Sequence, residues 1–153
     1  MTQVPQLRWI ADADGDALAA ASALFDYSPR VDASRHFLDR GGHHLCLAYV
    51  EGEPVGFVSG VDITHPDKGT EMFLYELAVA PAQQRRGIGR ALVEALADRA
   101  RALDCYGMWV LTDAENAAAL AVYRSAGAHD VQDAVMLTWR LEPAHPTFVE
   151  PTA

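Results

Sequence analysis

Apolar positions along this chain fall into two periods. Leu18, Ala21, Leu24 and Phe25 recur at three and four residues, and so do Ile88, Ala91, Leu92, Ala95, Leu96 and Leu103, while Arg90, Glu94, Asp98 and Arg101 turn the other way. That spacing predicts amphipathic helices over Ala17–Phe25, with Asp16 as cap after a turn at Asp12–Gly15, and over Ile88–Leu103. Two shorter helices are expected, Asp32–Asp39 ended by Gly41-Gly42 and Ala117–Ala126 closed by Gly127. Between them run β-rich stretches: Leu7–Ile10, His44–Val50, Val55–Ile63, Glu71–Val79, Tyr106–Leu111 and Val131–Leu141, the last turning at Gln132 and Asp133. Glu51-Gly52-Glu53-Pro54 joins the second and third as a hairpin.

This order predicts an α/β architecture, a mixed and mostly antiparallel central sheet flanked by about four helices. With 153 residues, half of them hydrophobic, the expectation is a single domain over residues 1–142 followed by a proline-containing tail, 143–153. No internal repeat is present.

Charge changes the picture of partners. Twelve Lys and Arg against 21 Asp and Glu give a net charge of −9, which argues against nucleic acid and leaves a cationic partner open. Surplus acid also serves solubility, so only acids beside a site bear on substrate. Cys46 and Cys105 form neither a disulfide framework nor a metal spacing, and His43-His44 have no partner at ligand spacing, so no metal is expected. With no basic, then apolar leader and no long apolar run, the expected location is the cytoplasm and no membrane partner is expected.

The candidate chemistry starts at Gln84-Arg85-Arg86-Gly87-Ile88-Gly89-Arg90, which follows a strand and opens a helix. First-turn N–H groups lack intrahelical partners and the helix dipole is positive there, so such a turn attracts phosphate. Gly87 and Gly89 allow close backbone approach, and Arg85, Arg86 and Arg90 add charge. Downstream, Asn116, Ala119, Tyr123 and Gly127 stand at regular helical spacing, with Asn116 and Tyr123 two turns apart on one side.

The Gln-x-x-Gly-x-Gly turn together with Asn-x-x-Ala-x-x-x-Tyr-x-x-x-Gly resembles the signatures of the GNAT acyltransferases. The resemblance covers most of His44–Pro143 and is densest over Met72–Gly127. It implies the GNAT fold, with the sheet splayed between two central strands, and acetyl-CoA as cofactor. The pantetheine arm would pair with the exposed backbone of Leu77, Ala78 and Val79, and the pyrophosphate would lie on the amides from Gln84 through Arg90, Ile88 included. Asn116 would bond the cofactor arm, and Tyr123 would protonate the leaving thiolate. Glu76 is the candidate base for the acceptor amine, or an anchor for it.

Within the family, Phe73–Val79, Arg85–Gly89, Ala118–Tyr123 and Leu141-Glu142-Pro143 are most similar to class I aminoglycoside 3-N-acetyltransferases. Those enzymes place an aromatic and an acid at the positions of Tyr75 and Glu76, usually Asp where this chain has Glu. An aminoglycoside acceptor would need several carboxylates, for which Glu76, Asp113, Glu115 and Asp133 are the candidates, with Tyr75 beside them. Another amine, such as a polyamine, a small metabolite or a peptide terminus, is the alternative, as is a sensor of acetyl-CoA without turnover. A homodimer through the last strand and tail is also open.

Overall fold

The computed structural model describes residues 3–11 and 14–148. Five strands, β1 (Gln6–Trp9), β2 (His43–Val50), β3 (Glu53–His65), β4 (Gly69–Val79) and β5 (Met108–Val110), lie in the order β1-β2-β3-β4-β5. The first four are antiparallel neighbours, whereas β5 runs parallel to β4 after a crossover through α3 (Ile88–Ala102). Parallel neighbours need a crossover of a dozen or more residues, which α3 supplies here.

Helices cover both sheet faces. α3 lies on one, where Ile88, Leu92, Val93, Leu96 and Ala100 interlock with Cys46, Val58, Met72 and Leu74. A Cβ on Gly60 would come within 2.9 Å of both Leu96 Cδ1 and Met72 Sδ, so any larger residue there would force these core side chains to shift. α4 (Ala117–Ser125) extends this layer, its Val122 and Tyr123 packing on the same core. On the opposite face, α1 (Gly15–Ala20), a 3-10 turn (Ser22–Leu24) and α2 (Val31–Asp39) sit over Leu45, Leu47 and Phe57.

The structure departs from the sequence expectation at two elements. The first helix stops at Ala20 and tightens into the 3-10 turn, which keeps Leu18, Ala21 and Leu24 on the sheet. Asp16 lies inside its first turn rather than capping it. Asp14 precedes the helix without capping it either, because its carboxylate faces back to the Ala11 N–H (3.0 Å) and pairs with Arg8. Residues 12 and 13 of the expected turn lie outside the described residues.

The second departure is at the carboxyl end. Val131–Leu141 is not a strand: the sheet ends at the three-residue β5, no described strand pairs with this stretch, and residues 128–140 have no regular structure. Its apolar side chains are left in solvent, from Val135 (86% exposed) to Leu141 (91%). The tail begins with turns and a 3-10 helix at Pro146–Phe148; its last residues, 149–153, lie outside the described set. Among the described residues no helix is long and apolar enough to cross a membrane.

Candidate active site

The site grows from an irregularity in β4. Ser59 pairs with Glu76, but the next pair along β3 is Gly60 with Leu74, so Tyr75 is an extra residue in the ladder. Strict alternation would send Glu76 to the same face as Met72 and Leu74, into the apolar layer under α3. The bulge shifts the pleat by one residue, and Glu76 emerges instead with Phe73 and Tyr75 on the face toward α1 and α2.

On that face is a cavity of about 530 Å³, walled by Phe25, Phe37, Leu45, Phe57 and Val61 and reached past Tyr75 and Glu76. Phe25 stacks on Phe57 with ring centroids 4.4 Å apart, and Phe37 meets His43 edge-on at 5.1 Å. At the mouth Phe73 stacks on Trp109 (4.2 Å) and meets Tyr75 edge-on (5.6 Å). Few polar groups reach the cavity. Arg30 is held by Asp32 in a two-pronged pair (2.8 and 3.3 Å), and desolvation followed by the charge of Arg40 keeps the His43 pKa below its ordinary value. Ser59 is only 4% exposed, and its Oγ has no hydrogen-bond partner among the described residues.

Glu76 is open to solvent on one side and walled by the cavity on the other. Desolvation, and then the like charge of Asp26, raise its carboxyl pKa above the usual range. A raised pKa makes its carboxylate form a stronger base than an ordinary carboxylate.

The second half of the site lies where β4 and β5 part. Their pairing covers only Met72–Leu74 with Met108–Val110, so Leu77, Ala78 and Val79 are paired with β3 on one side and with no described strand on the other. Such a half-open edge offers main-chain groups at a strand's own spacing. The Gln84 side chain donates to the Val79 carbonyl at 3.1 Å, fixing the chain as it leaves the sheet.

Beyond it, Arg85 (φ 59°) and Gly87 (φ 81°) take left-handed backbone conformations and turn the chain into α3. Gly87 occupies the N-cap position with no side chain capping the helix, so the first amides of a 15-residue helix remain open to an anion. Gly89 faces α4, where an added Cβ would meet Val122 at 3.3 Å. Arg86 bonds Gln83 at 3.1 Å and Arg90 pairs with Glu94 at 2.7 Å, exposed partners that a phosphate can displace.

Asn116 caps α4, its Oδ1 accepting from the Ala119 N–H at 3.1 Å. Capping uses the oxygen and leaves its amide donors for a ligand. Tyr123 is half-buried against the core, its hydroxyl bonds to no described residue, and desolvation raises its pKa above the usual phenol value. Not every candidate converges. Asp113, Glu115 and Asp133 are exposed loop residues that do not line the cavity.

Residues 16–128 match the acetyltransferase (GNAT) family. The chain belongs to that family. Acetyl-CoA is the acyl donor of GNAT acetyltransferases. This GNAT chain is 39% identical over 123 residues to mycothiol acetyltransferase of Salinispora tropica, a match covering 74% of the chain and 38% of that enzyme. It is 42% identical over 60 residues to the ribosomal protein bS18-alanine N-acetyltransferase of Escherichia coli K12, covering 39% of the chain and 40% of that enzyme. Among solved structures, an aminoglycoside acetyltransferase from an uncultured soil metagenomic sample, in complex with sisomicin, superposes with a TM-score of 0.82 at 20% identity, over 90% of the chain and 97% of that protein. At that identity the likeness is one of fold.

Sequence reasoning missed Ser59, Asp26 and the cavity walls of this GNAT chain. The signal for Ser59 was present: it is the one polar residue among Phe57, Val61 and Ile63 on an otherwise apolar strand face.

Proposed function

We propose that this chain catalyses transfer of acetyl from acetyl-CoA to a primary amine of a small molecule. The observation that carries this reading is the half-open edge Leu77–Val79 ending at the uncapped start of α3, with Glu76 on the strand that forms the edge and Tyr123 on the helix that packs against α3. The pantetheine amides pair with the edge and with Asn116, and the pyrophosphate sits on the amides from Arg85 to Arg90.

In the reaction Glu76 takes a proton from the acceptor ammonium, and the freed nitrogen attacks the thioester carbonyl carbon. The tetrahedral intermediate collapses with cleavage of the C–S bond, Tyr123 protonates the departing thiolate, and the second nitrogen proton, lost as the amide forms, passes through solvent to restore the Tyr123 phenol. A phenol with a raised pKa stays protonated until that moment. If the amine's own pKa is near 8, freeing it at neutral pH costs only about 1.4 kcal/mol, within reach of a carboxylate at Glu76.

The aminoglycoside reading draws support from the sisomicin-bound fold neighbour, and its 3-amino regiochemistry rests on sequence resemblance alone. Asp113, Glu115 and Asp133, which it needs as substrate ligands, lie off the cavity. Two free thiols, Cys46 buried with its pKa raised to about 11 by desolvation and Cys105, suit a reducing cytoplasm. The solvent-exposed apolar run at 131–141 suits a contact between two copies.

Coenzyme A release, followed with a thiol reagent from acetyl-CoA plus gentamicin, sisomicin, kanamycin, spermidine or short peptides, separates the readings. Thiol release with any amine supports acetyl transfer, and release with sisomicin or gentamicin alone supports the aminoglycoside assignment. Binding of acetyl-CoA with no release from any amine would favour a sensor.

A further inference from the structure

The cavity behind Glu76 has a chemical character of its own. Its walls are aromatic and aliphatic, and its one cation, Arg30, is already held by Asp32. A polycationic sugar would bring several ammonium groups to a cavity lined by one carboxylate, Glu76, and a resident guanidinium, with the exposed Asp26 near Glu76 but outside the lining. Each unmatched ammonium taken from water into such a wall is costly. An amine with one charge and an apolar body meets no such cost, and burying its body is favourable at about 25 cal/mol per Å².

The second observation is Ser59. A hydroxyl buried to this degree without a partner is rare, because leaving it unsatisfied costs about 1–3 kcal/mol. It lines the cavity on β3 in register with Glu76 on β4, so the two face one side of the sheet as cross-strand neighbours, and its Oγ, shielded from solvent in this rotamer, reaches the cavity by a turn about χ1. A hydroxyl accepts from an N–H, and a carboxylate accepts another.

We propose that the acceptor is an arylalkyl or alkyl amine, whose apolar body fills the cavity between Phe25, Phe37, Phe57 and Val61 and whose nitrogen is held between Ser59 Oγ and the Glu76 carboxylate. This rests on the acetyltransferase reading above and narrows its substrate. Ser59 positions the nitrogen and Glu76 deprotonates it, which leaves the lone pair free for the thioester at the splay.

The test is steady-state thiol release with 2-phenylethylamine, hexylamine, methylamine, spermidine and kanamycin at saturating acetyl-CoA. The expected result is a kcat/KM for 2-phenylethylamine or hexylamine at least about tenfold above those for spermidine and kanamycin. Ser59→Ala raises the KM for 2-phenylethylamine by about tenfold, with the KM for acetyl-CoA unaltered and thermal unfolding confirming a folded protein. Val61→Phe, which fills the cavity, reduces the preference for 2-phenylethylamine over methylamine. Turnover of kanamycin or spermidine in preference to the apolar amines would overturn the inference while leaving acetyl transfer intact. No release with any amine would overturn both. An unchanged KM in Ser59→Ala would remove Ser59 from the site.

Discussion

Ser59 of β3 stands opposite Glu76 of β4, and the next pair along the ladder skips Tyr75. That one-residue slip takes a carboxylate out of the apolar layer beneath α3 and sets it at the mouth of a cavity on the other face. A glutamate at this point in an unbroken strand would be a buried charge against Met72 and Leu74, and the chain would be expected to fold poorly.

Glu76→Gln tests both parts of that statement. Proton removal needs the carboxylate, so the wild-type kcat/KM at subsaturating amine falls as pH drops through the raised Glu76 pKa. In the glutamine variant the rate drops by about one to two orders of magnitude at neutral pH, and this acid limb is lost. For stability the sign is opposite to that of a salt-bridged acid. Because the folded pKa is raised, the folded state binds more protons, and Glu76 lowers stability as pH rises from the ordinary carboxyl pKa through the raised one. Glu76→Gln is therefore expected to melt at a higher temperature than wild type at pH 7 and at nearly the same temperature in acid.

Tyr123→Phe keeps the ring that packs beneath α3 and removes only the hydroxyl. With no protein partner lost, folding is unaffected, and acetyl-CoA affinity measured by calorimetry stays within about twofold. The turnover number falls about ten- to a hundredfold, and any alkaline limb due to this phenol lies above the usual tyrosine range. Unchanged turnover would remove Tyr123 as proton donor.

Gly87 and Gly89 are expected to behave differently although two residues apart. Gly87→Ala forces a Cβ into φ 81° at an otherwise open position, a strain of about 1–2 kcal/mol that disturbs the first turn of α3 and weakens acetyl-CoA binding. Gly89→Ala instead presses on Val122 at 3.3 Å, a contact that a small shift of α4 relieves. A thermal shift titration with acetyl-CoA on both variants checks the contrast, with the larger loss expected in Gly87→Ala.

The exposed run ending in Leu137-Thr138-Trp139-Arg140-Leu141 makes a prediction about association. Light scattering across concentrations is expected to show a dimer whose dissociation is promoted by the double change Leu137→Asp, Trp139→Asp. A monomer at all concentrations would show that this run has no self-contact to lose.

Most of the fold was legible in the sequence because its signals are local. The apolar stripe of α3, the glycine turn at Gln84–Arg90 and the Asn116 to Tyr123 spacing each announce themselves within a few residues, and all appear where expected. What was not legible depends on partners distant in the chain. The bulge at Tyr75 is a mismatch between two strands, and no single strand's pattern records it. Val131–Leu141 has a strand's composition but no strand beside it, so composition alone predicted the wrong element. The cavity is formed by α1, α2 and three strands together, so no one segment announces it, and Asp113, Glu115 and Asp133 stand on exposed loops outside its lining.

The most direct measurement is a single-turnover experiment with enzyme in excess over labelled acetyl-CoA and 2-phenylethylamine present, resolving acetylated amine and free coenzyme A by mass spectrometry. Wild type is expected to give one N-acetylated amine per thiol released, with the rate of both reduced together in Tyr123→Phe. Thiol released without acetylated amine, or acetyl-CoA bound and recovered intact after prolonged incubation with the amines tested above, would contradict it.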